Sequence, residues 1–258
     1  MYPRGGSPQV GTGCDADGME LSTAPADAVA VVAARLGDAV SGLPPGDGVG
    51  VFGGVYLQVT DAVMRRLGED GYFGSPADVA RLDTLFADRF LGALGADAPP
   101  ACWRPLLDLR LHPGIRPVQF ALAGMNSHIE HDLPLAIVDS CRSLDCPPQE
   151  LEADFHRVND LLAGVEEQVR EELLTLPPEL DVADPLLHLL DSWSIDAARD
   201  AAWASARMLW ELRGTPEPYA AAAAALDRST GMISRCLLTP LRDVRDTREA
   251  SRQAATIG

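Results

Sequence analysis

Positive charge is scarce in this chain of 258 residues: 21 basic side chains stand against 38 acidic ones, a formal net charge of −17. Such a surface repels phosphate backbones and anionic headgroups, which sets nucleic-acid binding aside. Long hydrophobic runs are missing as well. Nothing approaches the roughly 18 apolar residues that a membrane-spanning helix needs, so no membrane association is expected. The first residues lack a basic start leading into an apolar stretch, which argues against secretion. Cysteine is sparse and odd in number, at positions 14, 102, 141, 146 and 236. Only Cys141 and Cys146 are close, and no second pair matches their spacing, so no disulfide framework or zinc pattern is legible. Reduced thiols in a cytoplasmic protein are the economical reading. No stretch alternates with period two and no internal repeat is found, which leaves helices as the building material.

What the chain does have is helical periodicity. Its hydrophobic fraction of 47% is ordinary, and its length suffices for a sizeable core in one large domain or two small ones. Residues 1–20, rich in Gly, Pro and Asp, read as a disordered leader. A helical domain follows over 21–245, then a charged, frayed tail over 246–258. Ser22 or Thr23 is placed to cap a first helix carrying Val29, Val32 and Leu36. The second helix is expected over 56–67, and Ser75-Pro76 opens a third with the stripe Val79, Leu82, Phe86 and Phe90. A short helix follows near 103–109. The longest spans about 150–176, with Phe155, Val158 and Leu162 on its buried side. Further helices are expected over 184–190, 194–213, 219–226 and 231–241. The whole reads as all-α, a single multi-helix domain of about eight to ten helices.

The densest chemistry lies in residues 120–141, FALAGMNSHIEHDLPLAIVDSC, where two of the five histidines sit together. At about 100° per residue, His128, Asp132 and Asp139 share one helix face, with His131 about 60° to one side. Pro134 cannot donate to the carbonyl of Glu130, so the helix must kink or restart beside the histidines. An imidazole exchanges protons at neutral pH, and a carboxylate one turn away fixes its tautomer and raises its basicity. His128, Asp132 and His131 are therefore the candidate catalytic group. The same three are candidate ligands for a divalent metal. A bland reading stands beside both, with Asp132 as a helix cap, His128 as a core histidine and His131 as a solvated one.

Asn126, Asn159, Arg199 and Trp203 are the candidate substrate contacts. Asn159 lies about 40° from Phe155, at the edge of a buried stripe. On 194–213, Asp196, Arg199, Trp203, Arg207 and Trp210 fall on one face. They form either a pocket wall with a cationic tip or core indoles with arginine stems packed across them. Trp210 is assigned to the core and Arg199 to the pocket. His112, beside Pro113, reads as loop, and His188, among leucines, as core or interface. Gly48-Val49-Gly50-Val51-Phe52-Gly53 matches GxGxxG, but a dinucleotide site needs a preceding strand and a βαβ context. Pro44 and Pro45 precede this run and helices follow it, so a glycine-rich helix start packed closely on a neighbour is expected.

The run 124–134, GMNSHIEHDLP, together with Gly71-Tyr72-Phe73, Arg157-Val158-Asn159-Asp160 and Asp200-Ala201-Ala202-Trp203, resembles an actinobacterial family known only as domain of unknown function 5995. The resemblance extends over most of the chain after the leader and implies no established reaction. Just before the position matching Tyr56, relatives carry an Asn-Arg pair where this chain has Gly53 and Gly54. The difference implies room for another ligand and a specialised member, of a kind found among natural-product biosynthesis enzymes. The first functional expectation is an enzyme acting on a small polar metabolite. His128 and Asp132 would deprotonate an amine or hydroxyl for ring closure or elimination, with Arg199 neutralising a departing anion. The second is a metal-dependent hydrolase with His128, His131 and Asp132 as ligands. The third is a non-catalytic helical subunit that binds a partner protein or a second copy through apolar patches such as 186–190. The first and third readings need no cofactor.

Overall fold

Proline and aspartate decide where most helices begin. The structure, a computed structural model, describes residues 24–173 and 194–240, with side chains over 24–162 and 194–240. Helices α1 (Pro25–Val40), α3 (Pro76–Gly95) and α5 (Pro117–Ser127) each start on a proline, whose missing N–H loses nothing in a first turn. The same holds for α9 (Pro216–Leu237). Helix α2 (Gly48–Leu67) is capped instead by Asp47, whose Oδ1 accepts from the Val49 and Gly50 N–H groups. The remaining elements are α4 (Arg104–Leu109), a π turn (His128–Asp132), α6 (Leu133–Leu144), a 3-10 turn (Pro148–Glu150), α7 (Glu152–Leu173) and α8 (Ile195–Leu212). No strand occurs among the described residues, and the all-α expectation holds. No described helix is long and apolar enough to cross a membrane. Residues 1–23, the segment 184–190 with His188, and the tail after residue 240 lie outside the described residues.

Two boundaries differ from expectation, and both differences come from glycine. Helix α2 begins well before residue 56, because glycines that weaken a helix locally are recruited for close packing. A β-carbon on Gly48 would lie 2.5 Å from the Phe120 ring, and one on Gly53 would lie 2.3 Å from Val40 Cγ1. The GxGxxG run is thus a packing device, as expected. Helix α9 is continuous where two short helices were expected. Gly231 sits inside it because a β-carbon there would meet the Ala101 carbonyl oxygen at 2.5 Å.

The hub is the continuous rod α5–π turn–α6. Helix α5 packs on α2 and α9, while α6 packs on α3 and α8. Buried polar side chains fasten this rod at its α9 contact. Gln119 Nε2 donates to the Leu237 and Thr239 carbonyls. Asn126 Nδ2 donates to the Thr230 carbonyl and to Ser234 Oγ. Each such bond is worth about 1 kcal/mol net, but losing one partner strands the other at about 1–3 kcal/mol, so register is strongly specified.

Candidate functional site

Pro134 shapes the site. In a regular helix its ring would strike the Glu130 carbonyl. The backbone widens by one residue instead, and the Leu133 N–H bonds the His128 carbonyl across a π turn. Single π turns inside helices are concentrated at functional sites. The expected kink is therefore an inserted turn, and it changes which side chains meet. Asp132 Oδ2 lies 3.0 Å from His128 Nδ1, and Asp132 Oδ1 lies 2.8 Å from His131 Nδ1. Trp103 Nε1–H also donates to Oδ2 at 3.0 Å. All four residues are buried. Burial pushes Asp132 up, but the hydrogen bonds from His128 and His131 outweigh it and hold the carboxyl below the usual carboxylate range. A carboxylate only accepts, so each Nδ1 carries its proton and each Nε2 is left as the acceptor.

His128 Nε2 is shielded from solvent and has no hydrogen-bond partner among the described residues. Its ring stacks on Phe86 at 3.5 Å and meets the Tyr56 ring edge-on at 4.4 Å. Burial lowers the His128 pKa by more than Asp132 raises it, so the imidazole is neutral at pH 7. It lines a cavity of about 120 Å³ whose walls are apolar side chains such as Val59, Leu82, Leu133, Phe155 and Val158. Two more stranded polar atoms belong to side chains in that wall, Tyr56 Oη and Asp83 Oδ2. Burial pushes the Asp83 carboxyl up to about 7. Burial, with the charge of Asp83, lifts the Tyr56 phenol well above its ordinary value.

Arg199 supplies the cation of the wall. Its Nε donates to Asn159 Oδ1, a second guanidinium nitrogen donates to the Phe155 carbonyl at 3.0 Å, and the group lies 4.1 Å over the Phe155 ring. Burial lowers its pKa to about 9, which still leaves it charged at neutral pH.

The expected site residues thus separate. His128 and Arg199 face the cavity. Asp132 does not; it stands behind His128 and orients it, so the expectation that both open onto one hollow is corrected. His131 is turned away, its Nε2 lying 3.9 Å from Asp227 Oδ1. Asn126 is a tether to α9, not a ligand contact. Asn159 acts through Arg199, and Trp203 packs on Phe155 while its Nε1–H donates to Glu152. Trp210 is half-buried under the Arg213 guanidinium. Asp139 pairs with Arg89 instead of joining the histidines. Gly53 faces Val40 and Gly54 faces open space, so this pair does not enlarge the ligand room.

As for a metal, both imidazoles place Nδ1 on Asp132, so His128, His131 and Asp132 are not arranged around a common ion. The described side chains that do converge, within 4.8 Å, are Cys102, His131 and Asp227. Asp227 already accepts from the Ala101 and Cys102 N–H groups at 3.0 and 2.9 Å, so it works as a clamp between the start of α4 and α9.

Sequence reasoning missed Asp83, Tyr56 and Phe86 as site residues. A signal for Asp83 existed: a carboxylate placed between Leu82 and Phe86 inside an apolar stripe is the informative exception in a core.

The model of a family of unknown function, DUF5995, matches residues 29–240. The chain belongs to that family. The match to DUF5995 contains every residue that lines the cavity. No curated protein and no solved structure matches the chain significantly. The DUF5995 family carries no assigned reaction.

Proposed function

We propose that this DUF5995 member is an enzyme that moves protons on a small, mainly apolar substrate held in the cavity. His128 Nε2 is the base and the Asp83 carboxyl is the acid. One observation carries the reading: three polar atoms, on Tyr56, Asp83 and His128, are stranded along one apolar cavity without partners among the described residues. Buried polar groups ordinarily find partners, and each stranded one costs about 1–3 kcal/mol, so a ligand that completes them accounts for their being kept. Burial raises the Asp83 carboxyl toward neutrality and keeps the His128 imidazole unprotonated, a pairing that suits complementary acid and base roles.

In this reading a substrate hydroxyl, amine or acidic C–H yields its proton to Nε2, and Asp132 stabilises the imidazolium that forms. The electron pair closes a ring or expels a leaving group, and Asp83 protonates the atom that gains negative charge. Apolar walls keep water from competing. The chain contains no lysine, so a lysine Schiff base plays no part. The substrate is less polar than the sequence alone suggests, because the walls are apolar. A place among actinobacterial natural-product enzymes is the setting that the family resemblance favours. The metal-hydrolase reading has less support, given where the two Nδ1 atoms point.

The test is comparative conversion. Wild type and His128→Asn are incubated with fractions of small apolar metabolites and followed by mass spectrometry. Compounds consumed by the wild type should be turned over at least about 10²-fold more slowly by the variant. Equal conversion by both refutes the role of His128. No conversion in any fraction favours the non-catalytic subunit.

A further inference from the structure

We propose that the cavity takes an amphipathic organic acid, with its apolar body between Phe155, Val158 and Leu133 and its anionic group on Arg199. This rests on the cavity being the ligand site of the preceding reading. Arg199 is only 5% exposed, yet it sits in an apolar wall. Burying a guanidinium is expensive unless an anion compensates it. Its partners are neutral, however: an amide oxygen, a peptide carbonyl and a phenyl ring. Among the described residues no carboxylate lies within salt-bridge distance of it.

A carboxylate in the same wall is already committed. Asp154 accepts from the Gly74 and Ser75 N–H groups and pairs with Arg157. Asp196 and Asp200, on the helix that carries Arg199, act on it only at longer range. Among the described residues the guanidinium is therefore gripped in place by two hydrogen bonds and a ring while no carboxylate matches its charge. That is a preorganised anion receptor, and the planar fork of arginine suits a carboxylate.

The rest of the wall sets orientation and size. The electron-rich Nε2 of His128 would repel an anion, so the charged group belongs at Arg199 and the reacting group near His128. On α3 the wall runs from Val79 to Phe86, about 10 Å of helix. An enclosed dry cavity of about 150 Å³ accommodates benzene; this one is smaller, about 120 Å³, but partly open, so a ring or short branched chain fits only with its substituents extending beyond the enclosed space toward the polar groups. On a protein of net charge −17, long-range electrostatics disfavour anions, and a dedicated buried cation is what makes one acceptable.

The test uses phenylacetate, 2-phenylethanol and 2-phenylethylamine, read by NMR from the ¹³C-labelled methyl of Met125, which lines the cavity. Wild type should bind the acid at least about tenfold more tightly than the alcohol, and Arg199→Met should remove that preference while leaving alcohol affinity unchanged. Equal binding of acid and alcohol by the wild type, or a preference for the amine, overturns the proposal without any variant. Undiminished acid binding in Arg199→Met does the same. His128→Asn should keep the acid preference. If it does so while turnover is unaltered, the acid–base reading fails and this one stands. If none of the three probes shifts Met125, the cavity is not a ligand site and both fail.

Discussion

Replacing Asp83 by Asn tests whether the cavity wall holds a carboxyl that resists ionising. In the unfolded chain Asp83 ionises near its ordinary 3.8, whereas in the folded protein burial raises it to about 7. Between those values the folded state binds the extra proton, so its stability falls as pH rises through the window and the loss is complete above about 7. A shift of this size corresponds at most to about 4 kcal/mol, at 1.36 kcal/mol per pKa unit. Asp83 keeps partial exposure although its Oδ2 is shielded, and screening at such a residue reduces the figure to about 2 kcal/mol. Asn is nearly isosteric and does not titrate. The assay is urea denaturation of both proteins at pH 5 and pH 8. The variant's stability relative to wild type should rise by about 1–2 kcal/mol between the two, with other titrating groups cancelling in the difference. A difference that is constant, or that shrinks toward pH 8, would show that the carboxyl ionises freely and would remove it as the acid. The same variant should lose turnover, since an amide cannot deliver the proton.

Trp103→Phe removes the N–H that donates to Asp132 and leaves most of the ring volume, so a loss of about 1–2 kcal/mol is expected in chemical denaturation. Unchanged stability would mean that Asp132 does not need its third donor. Gly231→Ala opposes two effects. Alanine favours a helix interior by about 1 kcal/mol, but its β-carbon would meet backbone at 2.5 Å and force α9 away from the Ala101 turn. A net loss of about 1–3 kcal/mol in thermal melts is expected, and a stabilised variant would contradict the close approach.

Much of the fold was legible from local rules. Pro76 stands at the first turn of α3 as expected, and the stripe Val79, Leu82, Phe86 faces inward as its spacing requires. The failures share a cause. The early start of α2 and the continuity of α9 depend on glycines whose value lies in what approaches them, and a propensity scale records only their weakness. At the site, His128 and Arg199 were legible because an imidazole beside a carboxylate and an arginine on an apolar face are conspicuous. Tyr56 was not, because it reads as an ordinary core residue until its neighbours are known, and the signal for Asp83, a carboxylate inside an apolar stripe, does not say what it faces.

The residue pattern by itself determined an all-helical chain, many of its breaks, and the clustering of titratable side chains around residue 128. These follow from backbone sterics and the 3.6-residue period, which act within a few residues. Only the tertiary structure decided that Asp132 points at both imidazoles and not at the cavity, that His131 faces Asp227, and that Asp83 shares a wall with His128. The reason is that an inserted π turn rotates everything beyond it, while partnership in a core depends on which distant helix comes to rest against each face.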